Sequence, residues 1–133
     1  MLMPPISRYM TPHPWSVERT ATLSEAHEHM RMHEVRHLPV TDHGRLCGIV
    51  SDRDLRLIEA VVGAEPQTTL VEDAMTERPF VVTSDTALDE VVEIMGDKKY
   101  GSVVVMGHDG IEGIFTAVDA CRALAHILHQ VAD

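Results

Sequence analysis

The apolar positions of this chain change period along its length, and the whole sequence of changes then runs a second time. Trp15-Ser16-Val17 reads as a short strand after Pro14. From Leu23 the period lengthens: Leu23, Ala26 and Met30 fall at i, i+3 and i+7, one helical stripe facing a sheet. Thr22-Leu23-Ser24-Glu25 ahead of it has the capping-box spacing, Thr22 accepting from the N3 amide and Glu25 reaching back. His37-Leu38-Pro39-Val40 and Leu46-Cys47-Gly48-Ile49-Val50 predict two strands turning at Asp42-His43-Gly44, and Leu55 to Val62 predicts a second helix. The second pass gives a strand at Phe80-Val81-Val82 and a helix stripe at Leu88, Val91, Val92 and Met95. Strands at Ser102–Met106 and Ile111–Phe115 follow, and then a helix from Ala120 to Leu128 with Leu124, Ile127 and Leu128 along one side. Gly44 and Gly110 suit the positive φ of tight hairpins. Pro39 demotes its strand to an edge, since proline has no N–H for a ladder.

The second pass is a literal repeat. Ala74-Met75-Thr76-Glu77-Arg78-Pro79 restates Tyr9-Met10-Thr11-Pro12-His13-Pro14, and Gly113-Ile114-Phe115-Thr116-Ala117-Val118-Asp119 restates Gly48-Ile49-Val50-Ser51-Asp52-Arg53-Asp54. The offset is 65 in both places, 76 − 11 and 113 − 48, and Leu23/Leu88, Met30/Met95 and Val40/Val105 keep it. The pattern predicts an α+β fold of two β-α-β-β-α units, residues 6–62 and 71–128, joined by a short polar connection at 63–70. Each unit is too short to close a good core alone. The halves are therefore expected to pack together, with a cleft between them for a ligand.

Charge narrows the partners. With 11 Lys+Arg against 21 Asp+Glu the formal net charge is −10, and the basic residues are scattered, which argues against nucleic acid. A small anion held by a local cation and a helix N-terminus is compatible with that balance. No segment reaches the ~18 apolar residues of a spanning helix, and the N-terminus lacks signal-peptide character, so the expectation is a cytoplasmic protein without membrane insertion. Cys47 and Cys121 occupy inequivalent positions and form no CxxC, which reads as two reduced, mostly buried thiols of a cytosolic protein.

The candidate chemistry sits where the last strand of each unit hands over to a helix. Ser51 and Thr116 lie at these junctions, with Asp54 and Asp119 three residues on. A hydroxyl and free backbone N–H groups at a helix N-terminus suit a phosphate, and a carboxylate one turn along can accept from two ribose hydroxyls. The same residues also make good helix caps, and the spacing alone leaves both roles open.

Met10-Thr11 and Met75-Thr76, Thr22-Leu23-Ser24-Glu25-Ala26, Arg36-His37-Leu38-Pro39-Val40 and the two Gly-h-h-[ST]-x-x-Asp runs resemble a tandem pair of CBS (cystathionine β-synthase) domains, a Bateman module. The resemblance covers nearly the whole chain. It implies two repeats packed with pseudo-two-fold symmetry, small sheets flanked by helices, and a homodimer. It also implies a regulatory module binding AMP, ADP, ATP, S-adenosylmethionine or NAD(H) in clefts between the repeats, with no required cofactor. Carried onto this sequence, Ser51 and Thr116 contact phosphate, Asp54 and Asp119 contact ribose, and the strands at Val17 and Val82 meet adenine. Arg53, Arg36, His37, Lys99 and Ser102 complete the candidate ligand-binding set. Asp52-Arg53 against Ala117-Val118 marks the two sites as unequal.

Three rival readings stand beside this one. His29/His33 and His126/His129 have the helical spacing of metal-ligand pairs, but no HExxH and no completing Cys or carboxylate accompanies them. No nucleophile elbow, Walker loop or Cys/His pair argues for an enzyme. A ligand-independent interaction scaffold with vestigial clefts, serving an unnamed protein partner, is the alternative to a sensor.

Overall fold

The computed structural model describes residues 2–132. Eight strands and four helices follow the predicted order, with one addition. Each repeat opens on a two-residue strand, β1 (Thr11–Pro12) in the first and β5 (Thr76–Glu77) in the second. The other elements are β2 (Val17–Glu18), α1 (Leu23–His33), β3 (His37–Asp42), β4 (Arg45–Ser51), α2 (Asp52–Val62), β6 (Val81–Thr83), α3 (Leu88–Lys98), β7 (Ser102–Gly107), β8 (Gly110–Thr116) and α4 (Ala117–Ala132). The result is an α+β protein of two four-stranded sheets and four flanking helices, ordered β2-β3-β4-β5 and β1-β8-β7-β6.

The added strands decide how the chain divides. One compact unit is Trp15–Pro79; the other joins the segment ending at Pro14 to the chain from Phe80 onward. β5 therefore edges the sheet of the first unit (Ile49↔Thr76), and β1 edges the other (Thr11↔Ile114). The exchange carries a core residue each way. Val71 is fully buried with Leu23, Leu38, Val50 and Leu55, and Ile6, 65 positions earlier, is fully buried with Val91, Val103, Val105 and Phe115. The same segments satisfy helix starts: Leu23 N–H donates to Thr69 O at 2.9 Å, and Leu88 N–H to Pro4 O at 2.9 Å.

Glycine is required at one point of each sheet. A Cβ on Gly48 would lie 2.7 Å from Met75 Sδ and 2.9 Å from Thr76 O; one on Gly113 would lie 2.4 Å from Met10 Sδ. Only a bare Cα lets the exchanged strand approach this closely.

The capping box at Thr22 forms as its spacing predicts, the side chain accepting from Glu25 N–H and the Glu25 carboxylate accepting from Thr22 N–H. Gly44 and Gly110 hold positive φ. Two expectations fail. Val92 faces outward, because Leu88, Val91 and Met95 already fill the buried stripe of α3. Pro39 lies inside β3, an interior strand. The second repeat shows why this is tolerated. There Val104 N–H, the counterpart of Pro39, donates to Phe80 O at 2.9 Å. In the first repeat that donor is missing, and β2 starts one register later, at Val17↔Val40, where β6 pairs from Val81↔Val104.

Candidate functional site

Each site is built by a strand that stops on a hydroxyl and a helix that starts on it. Ser51 ends β4 in extended conformation and caps α2, its Oγ accepting from Asp54 N–H at 3.0 Å while Asp54 Oδ2 accepts from Ser51 N–H at 2.9 Å. Thr116 and Asp119 repeat the arrangement at the start of α4: Thr116 N–H to Asp119 Oδ2 at 2.9 Å, and Asp119 N–H to Thr116 Oγ1 at 3.4 Å. Capping is thus realised at both positions, and it leaves a hydroxyl and the positive end of a helix at the same point.

The neighbouring candidates come from the strand alongside. His37 lies opposite Ser51, and Ser102 opposite Thr116, in matching registers. The turn before each strand closes onto the helix start, Asp52 N–H donating to Arg36 O at 2.9 Å and Ala117 N–H to Gly101 O at 3.1 Å. The fold therefore gathers Ser51, Asp54, His37 and the Arg36 backbone in one unit, and Thr116, Asp119 and Ser102 in the other. The Arg36 and Arg53 side chains are exposed, as is Lys99, which ends α3 in the left-handed conformation at φ 60°. Val17 spends its side chain in the core and Val82 packs against its own, so of these strands only β6 presents an exposed apolar side chain, that of Val81.

Asp52 would repel an anion at the start of α2, but its carboxylate is turned to protein partners. Oδ2 lies 3.0 Å from Arg56 Nε and Oδ1 4.0 Å from His27 Nδ1, and His27 Nε2 is 3.0 Å from Glu59. Farther along the first sheet, Arg19 bridges Glu72 at 2.6 Å and Asp42 at 3.4 Å, which raises its pKa. The Glu18 carboxyl accepts from the Thr41 hydroxyl and the His43 N–H, and these bonds hold it below the usual glutamate range.

Two features lie outside the candidate set. The Trp15 ring stacks on His33, centroids 3.8 Å apart and 7° from parallel; in the other unit Phe80 meets Tyr100 at 5.4 Å. Thr11 sits on β1 with its hydroxyl 3.2 Å from Asp119 Oδ1. The repeated Met-Thr at each opening was the available clue to it. Among the described residues, no group of three or more His, Cys, Asp and Glu is gathered as a metal site requires. His126 instead hydrogen-bonds Tyr9 at 2.7 Å.

Comparison with known proteins points to one family. The CBS domain family model matches residues 6–60 and 71–126. The structure is similar to that of a Vibrio cholerae protein named for acetoin utilization (AcuB), at 30% identity and TM-score 0.85, covering 99% of this chain and 98% of that one. It is similar to CBSX2 solved in complex with AMP, at 28% identity and TM-score 0.75, covering 93% and 98%. In sequence it is 28% identical to hypoxic response protein 1 of Mycobacterium tuberculosis over 104 residues, 77% of this chain and 73% of that protein. Two tandem matches spanning most of the sequence, on a fold shared from end to end, mean that the chain belongs to the CBS-domain family as a tandem pair.

Proposed function

We propose that this chain is a regulatory ligand-sensing module that holds an adenosine-containing ligand at its capped helix starts. One observation carries the reading. Each unit sets a hydroxyl, a helix N-terminus and a carboxylate one turn on at the end of an interior strand. Phosphate fits the hydroxyl and the N-terminal end of the dipole; vicinal ribose hydroxyls fit the carboxylate. The AMP complex of the similar CBSX2 supports that ligand class, and ADP, ATP, S-adenosylmethionine and NAD(H) share its adenosine part. Binding regulates by favouring one of two conformations, which requires different affinity for each, and a partner protein in the cytoplasm reads the outcome. The chain is assigned no catalytic residue and no resident cofactor.

A thermal-shift panel of these ligands tests this. At 100 times its Kd a ligand stabilises by about 2.7 kcal/mol. A melting temperature unmoved by every adenosine ligand would sink the sensor reading.

A second reading, association without ligand, is favoured by α4. Leu124, Leu128 and Val131 are 56%, 53% and 67% exposed, and with Ala117, Cys121 and Ala125 they form one uncharged stripe. The counterparts of Ala117, Cys121 and Leu124 on α2 are Asp52, Arg56 and Glu59, so the fold itself does not demand an apolar face there. We assign the stripe to a homodimer, the commonest closed assembly. Sedimentation should show a dimer that Leu124→Glu dissociates; a wild-type monomer at micromolar concentration would refute it.

A further inference from the structure

The two helix starts share a backbone and differ in what their side chains have left to give. At the first, Asp54 Oδ2 takes the Ser51 N–H and Ser51 Oγ takes the Asp54 N–H. Among the described residues no other hydrogen bond reaches either side chain. Asp54 Oδ1 is free to accept, and the Ser51 O–H proton is free to donate to a phosphate oxygen. Asp54 is also partly exposed.

At the second start the hydroxyl proton is already committed and the free edge of the carboxylate is covered. The Thr116 hydroxyl donates its only proton back to Asp119 Oδ2 at 3.2 Å. The Thr11 hydroxyl lies across the carboxylate edge, 3.2 Å from Oδ1 and 3.4 Å from Oδ2. Asp119 is left 6% exposed. Thr11 and its counterpart Thr76 have equivalent registers, Thr11↔Ile114 and Ile49↔Thr76. Yet among the described residues Thr76 makes no bond to Asp54.

We infer that Thr11 is a latch on the second site: it holds Asp119 inward and leaves Ser51–Asp54 as the site that fills first. The inference rests on the proposed reading of these carboxylates as ribose acceptors. A ribose pair must displace the Thr11 hydroxyl from Asp119 before it can bind there, while at Asp54 nothing has to be displaced. Giving up a hydrogen bond to an ionised carboxylate weakens the second site at least tenfold, equivalent to about 1.4 kcal/mol.

Calorimetric titration of the full chain with AMP tests the latch. The wild type should show one tight event per chain and a second at least tenfold weaker, and Asp54→Ala should abolish the tight one. Thr11→Val keeps the side-chain shape, suits a strand, and removes the hydroxyl. It should bring the second event to within a few-fold of the first, and adding Asp119→Ala should remove it again. Two equal events in the wild type, or an unchanged second event in Thr11→Val, would overturn the latch while leaving the ligand reading intact. A folded protein that binds none of AMP, ADP, ATP or S-adenosylmethionine overturns both.

Discussion

Replacing Gly48 by alanine should destabilise the first unit by driving β5 off its sheet. The added Cβ would meet Met75 Sδ at 2.7 Å and Thr76 O at 2.9 Å. The sulfur ends a flexible side chain and can swing away, but the carbonyl belongs to the strand paired at Ile49↔Thr76 and Gly48↔Glu77. Relief therefore means moving the strand. Overpacking of this kind costs about 1–3 kcal/mol, and a weakened edge ladder adds about 0.5–1.5 kcal/mol for each hydrogen bond lost. Opposing this, alanine reduces the freedom of the unfolded chain by about 0.4–1 kcal/mol. The net is a loss of about 2–3 kcal/mol. Near 2.1 cal/mol/K of unfolding entropy per residue, that lowers Tm by roughly 7–11 °C for a chain of this length. Thermal denaturation followed by circular dichroism reads the loss. Gly48→Ala/Met75→Ala should recover only part of it, because the carbonyl remains. A Gly48→Ala midpoint within 2 °C of wild type, or full rescue by the methionine truncation, would refute the close-approach argument.

Other expectations follow from single contacts. Ala87 precedes α3 with no side-chain cap, where its counterpart Thr22 closes a capping box. Ala87→Ser restores the Ser-x-x-Glu spacing with Glu90 and should gain about 1 kcal/mol in chemical denaturation. The lowered pKa of Glu18 means a contribution to stability present above the unfolded carboxyl's pKa and lost as pH falls through the folded one. Thr41→Val removes the largest cause of that shift, so the Glu18 carboxyl should titrate at higher pH by NMR and acid unfolding should begin earlier. Burial raises the Cys47 thiol, while Cys121 stands exposed. In the Leu124→Glu protein, where the α4 stripe is uncovered, a thiol reagent near pH 8 should label Cys121 first, and equal rates would contradict that placement.

Local chemistry was legible in the sequence, and long-range chemistry was not. The Thr22 capping box, the two hairpins and the Ser51 and Thr116 junctions are decided by residues within a few positions of one another. β1 and β5 are two residues long and carry no period; they become strands only because a partner many residues away offers an edge. The Thr11–Asp119 bond spans 108 positions and has no local signature. Val92 shares the helical period of a stripe expected to face a sheet, but periodicity records which residues share a face and not how much of that face the sheet can cover. Pro39 was read as an edge marker because the rule counts a missing donor without asking whether an acceptor still lies opposite.

The exchange of opening segments has a consequence for synthesis. Trp15–Pro79 is one uninterrupted stretch, so every residue of that unit has been translated while α3 is still unmade. The other unit is split. β1 waits for β8, 103 residues downstream at Thr11↔Ile114, before its backbone finds a partner. The two halves of a nearly symmetric repeat thus mature on different clocks. The N-terminal strand, with Met10 and Thr11 that will later cover Gly113 and Asp119, spends most of translation as an unpaired edge.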